Sequence, residues 1–458
     1  MGLVLHLFLA LALSSCSYII YVTYLAPPGE VEVKVEENGW FGSGEPRSDD
    51  LGVYPFQVNV TPEELEDLKQ RLERSRVSHT PLEDSNDFWY GFNSYELEVF
   101  REYWLRSYDW KKHEKIINGF KQFKTEIEGI KVHFIHEQAA SGYKRVVPLL
   151  IVHGWPGNVF EFYKLIPMLT DPKKHGIKSE IAFEVVAPSI PGYGWSEQPK
   201  RTGFSQVVCA RVFRKLMERL GIKKFYLQGG DWGSLIVSNL AKLYPAQVFG
   251  VHVNMLGVMP GSSIRAFLLE VVGTYLPKLL FSNSENHNHN FFGKFFNIIV
   301  ESGYMHLQAT KPDTVGTALN DSPLGLAAYI LEKFSSWTNL ENRALPDGGL
   351  TKKFTRDELL TIVMIYWLNG NIVSSQRFYR EFYLDKRNDA LSKHYQHVPT
   401  AHLSCLNEMF DRTPPEISSV MYNVTHYTAL PDAGHFAAFE MPRHVATDVF
   451  DFVKSLER

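Results

Sequence analysis

The stretch Lys223-Lys224-Phe225-Tyr226-Leu227-Gln228-Gly229-Gly230-Asp231-Trp232-Gly233 decides the fold of this 458-residue chain. Residues 223–228 are typical of a strand, and the run Ser234 to Tyr244 is typical of a helix that stops at Pro245. The glycines permit a sharp turn between strand and helix, and such a turn exposes its central side chain, Asp231. The stretch therefore predicts an α/β architecture with a reactive group near a helix N-terminus, where the helix dipole favours a carboxylate.

Asp231 is unusual, because a Gly-x-nucleophile-x-Gly turn of this kind commonly carries Ser at its centre. A free Asp has a pKa of about 3.9, so it is an anion at neutral pH and needs no base to activate it. A carboxylate that attacks a carbon atom forms an ester. Asp231 therefore predicts chemistry that passes through a covalent ester intermediate.

Apolar runs alternate with helical patterns on both sides of the turn. Val146 to Val152, Phe183 to Ala187 and Val248 to Met255 are predicted strands, and Val159 to Leu169 has helical spacing. Apolar residues also recur every four positions from Phe204 to Leu220, which predicts another helix. Strands buried on both faces that alternate with helices indicate a doubly wound, mostly parallel sheet.

The rest of the chain is organised around this sheet. Thr61-Pro62-Glu63-Glu64 is a strong helix start that follows a Pro-, Gly- and acid-rich linker. After about residue 258 the alternation gives way to helical patterns, which predict a lid over the C-terminal edge of the sheet. The predicted units are a membrane anchor at 1–26, an N-terminal extension at 27–145, the first part of the core at 146–257, the helical lid at 258–395 and the second part of the core at 396–458.

The segment Leu3 to Ala26 departs from the composition of a soluble domain. His6 is its only side chain that can carry a charge, and about 20 apolar residues are enough to span a bilayer. A cleaved signal peptide is the alternative, because Leu3 to Leu13 could be its apolar core. No Lys or Arg precedes the run, and its second half, Tyr18 to Leu25, is apolar and Tyr-rich, so a retained membrane helix is favoured. The flanking charges do not settle its orientation.

Composition argues against several classes of function. A net charge of −4 without a basic block disfavours a nucleic-acid partner. The three cysteines, Cys16, Cys209 and Cys405, provide neither a disulfide framework nor zinc spacing. His287-x-His289 lies in a polar, Asn-rich tract without a third ligand nearby, which favours a solvated loop over a metal site. We therefore predict no metal and no cofactor.

Hydrolysis of an ester requires a base, and the chain order expected of this fold is nucleophile, acid, then histidine. Among the 17 histidines, His435 alone combines a late position with a Gly-containing loop just before the last predicted helix. The candidate acids between the turn and this base are Glu408, Asp411, Glu416 and Asp432. Glu408 lies among apolar neighbours, 27 residues before His435, and is favoured, with Asp411 as its main rival.

The loop His153-Gly154-Trp155-Pro156-Gly157 follows the first predicted core strand. An oxyanion hole in such folds takes one backbone N–H from the residue after the nucleophile and one from a loop of this kind. The N–H groups of Trp155 and Trp232 are therefore the predicted donors. The alternative is a tight turn without a catalytic role.

These residues resemble the epoxide hydrolases of the α/β-hydrolase fold, and more closely the microsomal epoxide hydrolase family, which includes the insect juvenile hormone epoxide hydrolases. The similarity extends over nearly the whole chain. Its segments are Tyr90-Gly91-Phe92-Asn93-Ser94, Tyr108-Asp109-Trp110-Lys111-Lys112, Phe123-Lys124-Thr125, His153 to Gly157, Pro188 to Gly194, Gly229 to Ser234, Gly303-Tyr304-Met305-His306-Leu307-Gln308, Ser375-Gln376-Arg377-Phe378-Tyr379 and Gly434-His435-Phe436-Ala437-Ala438-Phe439-Glu440.

The resemblance implies roles that spacing alone does not provide. In that family an N-terminal helix anchors the enzyme to the endoplasmic reticulum, the next segment wraps around the core, and the lid supplies two tyrosines. These tyrosines correspond to Tyr304 and Tyr379, which would hydrogen-bond the epoxide oxygen and protonate it. The acid of the family corresponds to Glu408. The resemblance is weakest from Glu381 to Thr425, around this acid.

Together, the residues and the resemblance predict hydrolysis of lipophilic epoxides to vicinal diols, with water as the second substrate. Detoxification of aromatic hydrocarbon epoxides and breakdown of terpenoid, juvenile hormone-like epoxides are both compatible with the sequence. The resemblance implies a single-pass microsomal membrane protein with a cytosolic catalytic domain. The alternatives are a haloalkane dehalogenase, which shares the Asp ester and the His base, and a catalytically silent, membrane-tethered binding protein.

Overall fold

The apolar runs of the sequence form a single sheet. Its strands are β1 (Val53–Phe56), β2 (Gln122–Ile127), β3 (Ile130–Glu137), β4 (Arg145–Val152), β5 (Ile181–Pro188), β6 (Phe225–Gly229), β7 (Val248–Val253), β8 (Gln396–Cys405) and β9 (Tyr422–Leu430). Among the described residues their spatial order is β1-β2-β3-β5-β4-β6-β7-β8-β9. The pairs from β1 through β3 to β5 are antiparallel, and all pairs from β5 to β9 are parallel. The prediction of a mostly parallel sheet is confirmed.

This computed structural model describes residues 29–77, 80–259, 261–409 and 413–457, together with isolated positions before residue 29. The predicted membrane anchor, Leu3 to Ala26, lies mainly outside the described residues. Within the part of the chain that is described, no helix is both long enough and apolar enough to cross a membrane.

Helices flank the sheet and fill the segment between β7 and β8. They are α1 (Pro62–Arg74), α2 (Ser94–Arg106), α3 (Trp110–Ile117), α4 (Leu165–Thr170), α5 (Gln206–Arg219), α6 (Trp232–Leu243), α7 (Ile264–Tyr275), α8 (Pro277–Leu280), α9 (Phe291–Glu301), α10 (Gly303–Thr310), α11 (Pro312–Asp321), α12 (Pro323–Ser336), α13 (Arg356–Asn369), α14 (Ile372–Leu384), α15 (Lys386–Ser392), α16 (Pro415–Ser418), α17 (Ala437–Glu440) and α18 (Pro442–Leu456). In the core, α5 packs on α6, and α4 packs on α18.

The strand β6 and the helix α6 form the predicted strand–turn–helix unit. All five residues of β6 are buried, as expected of a strand between two parallel neighbours. The strand ends at Gly229 and the helix begins at Trp232, so Asp231 lies at the helix N-cap. The prediction placed the helix start at Ser234, two residues too late.

One predicted helix is interrupted. The segment Val159 to Leu169 forms a short 3₁₀ turn, Val159–Phe162, followed by the separate helix α4. Pro167 lies in the first turn of α4 and has no backbone N–H to bond to the carbonyl of Tyr163, so an unbroken helix cannot pass through it. Apolar spacing alone did not reveal this break.

Two elements of the N-terminal extension were not predicted. β1 is exposed along most of its length, so its residues lack the alternation that marks a strand, and it contains Pro55. Proline is tolerated there because β1 is an edge strand that pairs only with β2 among the described residues. The short helix α3 begins after Asp109, whose carboxylate caps it by accepting the backbone N–H of Lys111.

The first described residues are fixed to the sheet by polar contacts. The carboxylate of Asp49 accepts the backbone N–H groups of Glu128 and Gly129 at 2.7 and 2.8 Å, in the turn between β2 and β3. Glu128 in turn forms a buried two-contact ion pair with Arg211 of α5. These contacts hold residues without regular secondary structure against the core.

The segment between β7 and β8 is helical, as predicted. The helical patterns after residue 258 predict helices at 265–272, 291–302, 324–338 and 355–368, which correspond to α7, α9, α12 and α13 within a few residues at each end. Further helices, including α10 and α14, complete the segment. Tyr304 lies on α10 and Tyr379 on α14, so the helices that supply both tyrosines were not individually predicted.

Candidate active site

The turn after β6 holds Asp231 in a strained conformation. Its φ of 49° lies in the left-handed region, which costs a non-glycine residue about 1–3 kcal/mol. The turn is also crowded, since a Cβ atom at Gly233 would lie 2.0 Å from the carbonyl oxygen of Val152 on β4. Only glycine fits there, and the tight approach brings Asp231 next to the end of β4.

The loop after β4 contacts the Asp231 carboxylate directly. The backbone N–H of Trp155 donates to Oδ1 of Asp231 at 2.7 Å. A Cβ atom at Gly154 would lie 2.3 Å from the same oxygen, so this position also requires glycine. Trp232 occupies the first position of α6, where backbone N–H groups have no partner within the helix. The Trp155 N–H therefore contacts the carboxylate, and the Trp232 N–H lies at the start of the helix that follows Asp231.

His153 holds this loop in place. Its Nδ1 lies 3.0 Å from the carbonyl oxygen of Gly154, and its Nε2 lies 3.1 Å from the backbone N–H of Ile190. Since Ile190 must donate, Nε2 is the acceptor and Nδ1 carries the proton. Burial lowers the pKa of His153 to about 4, which keeps the ring neutral and in this tautomer.

His435 links the nucleophile to an acid. Its Nε2 lies 3.5 Å from Oδ2 of Asp231, and its Nδ1 lies 2.7 Å from Oε2 of Glu408. The surrounding loop is held by Glu440, whose carboxylate accepts the backbone N–H groups of Gly434 and Phe436. Glu408 and His435 are both buried. The structure thus brings together the predicted nucleophile, base and acid.

The electrostatics of His435 depend on both carboxylates. Burial opposes a positive charge on the ring, but Glu408 and Asp231 outweigh it and raise the pKa of His435 well above its ordinary value. The ring therefore holds a proton for as long as both neighbours are negative. Loss of the charge on Asp231 removes part of this stabilisation.

The other candidate acids are placed differently. Glu416 accepts the backbone N–H of Ser282 at 2.8 Å. Asp432 is exposed and forms an ion pair with Lys353 at 2.6 Å. Asp411 lies outside the described residues. Glu408 is thus the candidate for which the structure shows a contact with the His435 ring.

Tyr304 and Tyr379 lie over Asp231 on the side of the helical segment. The ring of Tyr304 stacks on Trp155 with centroids 5.3 Å apart, and the ring of Tyr379 packs edge-on against Trp232 at 4.6 Å. The two tyrosine rings are 5.9 Å apart. Burial raises the pKa of both hydroxyls well above the ordinary value, so both remain protonated. The Tyr379 hydroxyl interacts with the Tyr304 hydroxyl, so the two groups lie together beside Asp231.

A small cavity lies beside the nucleophile and the base. Asp231, His435, Gly157 and Glu161 are among the residues that line it, and the space open to the centre of a water molecule is about 20 Å³. This is enough for about one water molecule. Burial raises the pKa of Glu161 to about 8, so its carboxyl group is mainly protonated at neutral pH.

Sequence reasoning missed Glu161. It lies four residues after Gly157, on the 3₁₀ turn that replaces the predicted helix. A Cβ atom at Gly157 would lie 1.4 Å from Oε1 of Glu161, so the glycine leaves room for the carboxyl group. An acid within an apolar run directly after the Trp155 loop was the available signal, but the turn that aims it inward was not visible in the sequence.

Asn254 was missed for a similar reason. It follows β7, its Oδ1 accepts a hydrogen bond from Gln228 at 3.1 Å, and its Nδ2 donates to the backbone carbonyl of His435 at 3.5 Å. A Cβ atom at Gly230 would lie 2.6 Å from Nδ2 of Asn254. Asn254 therefore connects the turn that carries Asp231 to the loop that carries His435.

The His287-x-His289 pair is not a solvated loop, which corrects the prediction. His289 is nearly buried and forms an ion pair with Glu270 of α7 at 2.8 Å, and Nε2 of His287 lies 3.1 Å from the carbonyl oxygen of Phe281. The Asn-rich composition suggested solvent exposure, but the rings of both histidines contact the protein, and that of His289 packs edge-on against Phe281. In the described ranges no group of three or more His, Cys, Asp or Glu side chains is arranged to hold a metal ion.

Comparisons with known proteins agree with this geometry. Residues 53–162 match the family model for the epoxide hydrolase N terminus, and residues 147–442 match that for the alpha/beta hydrolase fold. The chain is 45% identical to epoxide hydrolase 1 of Sus scrofa, over 97% of this chain and 98% of that protein. It is 42% identical to juvenile hormone epoxide hydrolase 1 of Ctenocephalides felis, over 91% of this chain and 89% of that protein. The crystal structure of the juvenile hormone epoxide hydrolase of Bombyx mori superimposes with a TM-score of 0.86 at 38% identity, covering 92% of this chain and 99% of that one.

Proposed function

Because this chain belongs to the epoxide hydrolase family and is an epoxide hydrolase, we propose that it opens epoxides through a covalent ester on Asp231. One observation carries the proposal. The carboxylate of Asp231 has Oδ1 on the N–H of Trp155 and Oδ2 facing His435. One oxygen is thus placed to become the ester carbonyl, and the other is placed to bond to substrate.

In the first step Oδ2 of Asp231 attacks one epoxide carbon, and the bond from that carbon to the ring oxygen breaks. Tyr304 and Tyr379 hydrogen-bond the ring oxygen, and one of them transfers its proton as the alkoxide develops. The buried, protonated hydroxyls support this role, because a general acid must still hold its proton when the substrate binds. The products of this step are a hydroxyalkyl ester and a tyrosinate.

In the second step water hydrolyses the ester. Nε2 of His435 takes a proton from the water, and the resulting hydroxide attacks Cγ of Asp231. The oxyanion develops on Oδ1, where the N–H of Trp155 already donates at 2.7 Å and that of Trp232 is adjacent. Glu408 stabilises the protonated ring. Collapse of the intermediate releases the diol and regenerates the carboxylate, and a proton returns to the tyrosinate.

Removal of both tyrosine hydroxyls should affect the first step selectively. We expect Tyr304→Phe/Tyr379→Phe to slow ester formation by roughly 10²–10⁴-fold, the usual contribution of a general acid. The rate of ester hydrolysis should change much less, because the tyrosines do not act on the attacking water. Rapid-quench measurement of both steps provides the check, with Tyr329→Phe, a neighbour of Trp155 without a proposed role, as the control. Equal slowing of the two steps would remove the role proposed for the pair.

We also propose that Glu161 positions the hydrolytic water in the cavity beside His435. Glu161→Ala should slow ester hydrolysis about tenfold or more, because a hydrogen bond of roughly 1.5 kcal/mol is lost, and should leave ester formation nearly unchanged. Glu161→Gln retains the shape and an acceptor oxygen and should recover most of the rate. Gly157→Ala provides an independent variant, since its methyl group must displace the Glu161 carboxyl group. Single-turnover hydrolysis that is unaffected in Glu161→Ala and Gly157→Ala would contradict the proposal.

The charge of Asp231 should control the protonation of His435. Ester formation neutralises Asp231, so the pKa of His435 falls, and the ring releases its proton to solvent and becomes the free base that hydrolysis requires. Asp231→Asn removes the negative charge of the side chain, as ester formation does, and keeps the size of the free carboxylate. We expect the pKa of His435, followed by NMR of its ring nitrogens, to be lower in Asp231→Asn than in the wild type. In the control variant Asp432→Asn the pKa of His435 should not change. An unchanged pKa in Asp231→Asn would show that the two groups are not coupled.

The substrate class follows from the same surroundings. We propose lipophilic epoxides, either terpenoid or aryl, because the reacting groups lie among buried aromatic rings and the relatives include an epoxide hydrolase 1 and juvenile hormone epoxide hydrolases. Diol formation from a panel of terpenoid, fatty-acid and aryl epoxides tests this. A preference for small, polar epoxides would oppose it. Two tyrosine hydroxyls over the nucleophile also suit an epoxide oxygen better than a halide, so chloroalkanes in the same panel should not release chloride.

For localisation we propose the membrane of the endoplasmic reticulum, with the catalytic domain in the cytosol. The apolar segment Leu3 to Ala26 and the resemblance described above support this assignment. Fractionation of cells that express the full chain, followed by protease treatment of sealed microsomes, tests it. Protection of the catalytic domain from added protease would contradict a cytosolic orientation.

A further inference from the structure

The helices α7 and α9 expose an unusual amount of apolar surface. On α7 the buried positions are Ala266, Leu269 and Gly273, all small or aliphatic. The opposite side of the same helix is apolar too, with Ile264 and Tyr275 exposed and Tyr275 at 71%. A helix that is apolar on both sides is not a typical surface helix, which has a polar outer face.

The helix α9 extends this surface. None of its residues is buried, although its sequence is FFGKFFNIIVE. Phe292, Phe296 and Ile299 recur at spacings of three and four residues and are all at least half exposed. The two helices are joined by aromatic contacts, since the ring of Phe291 lies 5.9 Å from that of Phe267 on α7. We call this surface the apolar face of α7 and α9, defined by Ile264, Phe267, Tyr275, Phe292, Phe296 and Ile299.

Glu285 and Glu341 lie near Lys294 at one end of the apolar face, but the acids on its own two helices are paired. The acid of each helix is withdrawn into an ion pair, Glu270 with His289 and Glu301 with Arg343. The cations Lys278 and Lys294 have no such partner among the described residues and lie beside the exposed apolar residues. A surface of exposed aromatic and aliphatic side chains with cations suits the interface of a bilayer that contains anionic lipids.

An aromatic pair lies next to the end of α9. The guanidinium of Arg343, which pairs with Glu301, lies 4.3 Å above the ring of Trp89. Trp89 and Tyr90 are both more than half exposed. Tryptophan and tyrosine are enriched where proteins meet the headgroup region of membranes.

The continuous described part of the chain begins near the same surface. The carbonyl of Gly29, the first residue of the continuous described part, accepts the backbone N–H of Tyr395 at 2.8 Å. Gly29 also approaches the carbonyl oxygen of Lys393. The neighbouring Ser392 accepts a hydrogen bond at 3.0 Å from Ser262, which lies two residues before α7. The segment that precedes Gly29 therefore joins the folded domain close to the start of the apolar face.

From these observations we propose that the apolar face of α7 and α9 docks into the lipid bilayer, as a second membrane contact beside the N-terminal segment. The bilayer accounts for the exposed apolar stripes, for the withdrawn acids, for the cations and for the position of Gly29 together. The next helix after α9 is α10, which carries Tyr304. Docking therefore brings the helical segment that covers the reacting groups to the lipid surface.

Site-directed spin labelling of the full chain in liposomes tests the proposal. Cys16→Ser removes the cysteine of the predicted anchor, and the remaining Cys209 and Cys405 are buried. Nitroxide labels are placed at Tyr275→Cys and Phe296→Cys, and at Leu51→Cys as the control. Leu51 is 69% exposed, which is similar to the exposure of Tyr275 and Phe296. It lies beside β1, at the edge of the sheet opposite β9. The helix α7 lies near the other edge, because it packs against α16 near β9. Only variants that still form diol are labelled. If Tyr275→Cys or Phe296→Cys does not form diol, Phe292→Cys takes its place.

The readout is collision of each label with oxygen, which concentrates in lipid, and with a water-soluble nickel chelate. In phosphatidylcholine liposomes that contain phosphatidylserine, we expect the oxygen-to-nickel ratio at residues 275 and 296 to be severalfold higher than at residue 51. Equal ratios at the three positions would place the face in water and overturn the proposal. Low collision with both reagents would mean a protein contact and would overturn it as well. In that case, dipolar broadening that disappears on dilution with unlabelled chain would identify a second copy, and its absence would point to the chain's own N-terminal segment.

Discussion

Replacement of Asp231 by alanine is expected to abolish epoxide hydrolysis while the protein stays folded. In the proposed mechanism this one side chain forms the bond to substrate and supplies the carbonyl that water attacks, so no other group near Trp155 can take over the reaction. Removal of a covalent nucleophile costs at least about 10⁴-fold in kcat in well-studied hydrolases. Diol formation should therefore fall to the uncatalysed background at every epoxide tested.

A glycine variant at the same position should lose activity without losing stability. Asp231 has a φ of 49°, and relief of such strain by Asp231→Gly is worth about 1–3 kcal/mol. We expect Asp231→Gly to melt at or above the temperature of the wild type although it is inactive. Asp432→Asn is the matched control, because it removes an exposed acid close to His435 in the chain. Substantial turnover by Asp231→Ala, with Asp432→Asn unaffected, would show that the nucleophile is misassigned.

Replacement of His435 by glutamine should separate the two steps. Asp231 needs no base to attack, so ester formation continues, whereas hydrolysis loses its general base and slows by roughly 10²–10⁴-fold. The ester should accumulate to about one equivalent per chain. Mass spectrometry of the peptide that carries Asp231 should then show an increase equal to the mass of the epoxide.

The control for this variant is His444→Gln, an exposed histidine on α18 that touches none of the reacting groups. It should turn over like the wild type and show no stable adduct. Glu408→Gln should resemble His435→Gln in a weaker form, because the ring loses its carboxylate partner at 2.7 Å but keeps its position next to Asp231. Wild-type hydrolysis by His435→Gln would exclude His435 as the base.

The sequence was most informative where one local pattern determines the geometry. The residues Gly229 to Gly233 predict a strand, a turn and a helix by themselves, and the structure has all three. Buried strands such as β4 are equally visible as apolar runs. By contrast, β1 is an exposed edge strand and owes its conformation to its partner β2, so its own residues carry little signal.

In the candidate site, too, residues with a local sequence pattern were predicted, and residues that depend on tertiary contacts were not. Asp231 and His435 were identified from turn chemistry and chain order, because each belongs to a loop with its own glycines. Tyr304 and Tyr379 came from resemblance alone, since nothing local distinguishes them from the other tyrosines of the chain. Glu161 was missed because its role depends on a cavity between three loops. Spacing cannot reveal that the carboxyl group fills the room left by Gly157.

The central claim is that oxygen from water reaches the diol by way of the Asp231 carboxylate. It is tested most directly by a single turnover in heavy-oxygen water with enzyme in excess over epoxide. We expect the diol of this first turnover to carry no label and the label to appear in the peptide that contains Asp231. Label found directly in the diol, with none in the Asp231 side chain, would contradict it.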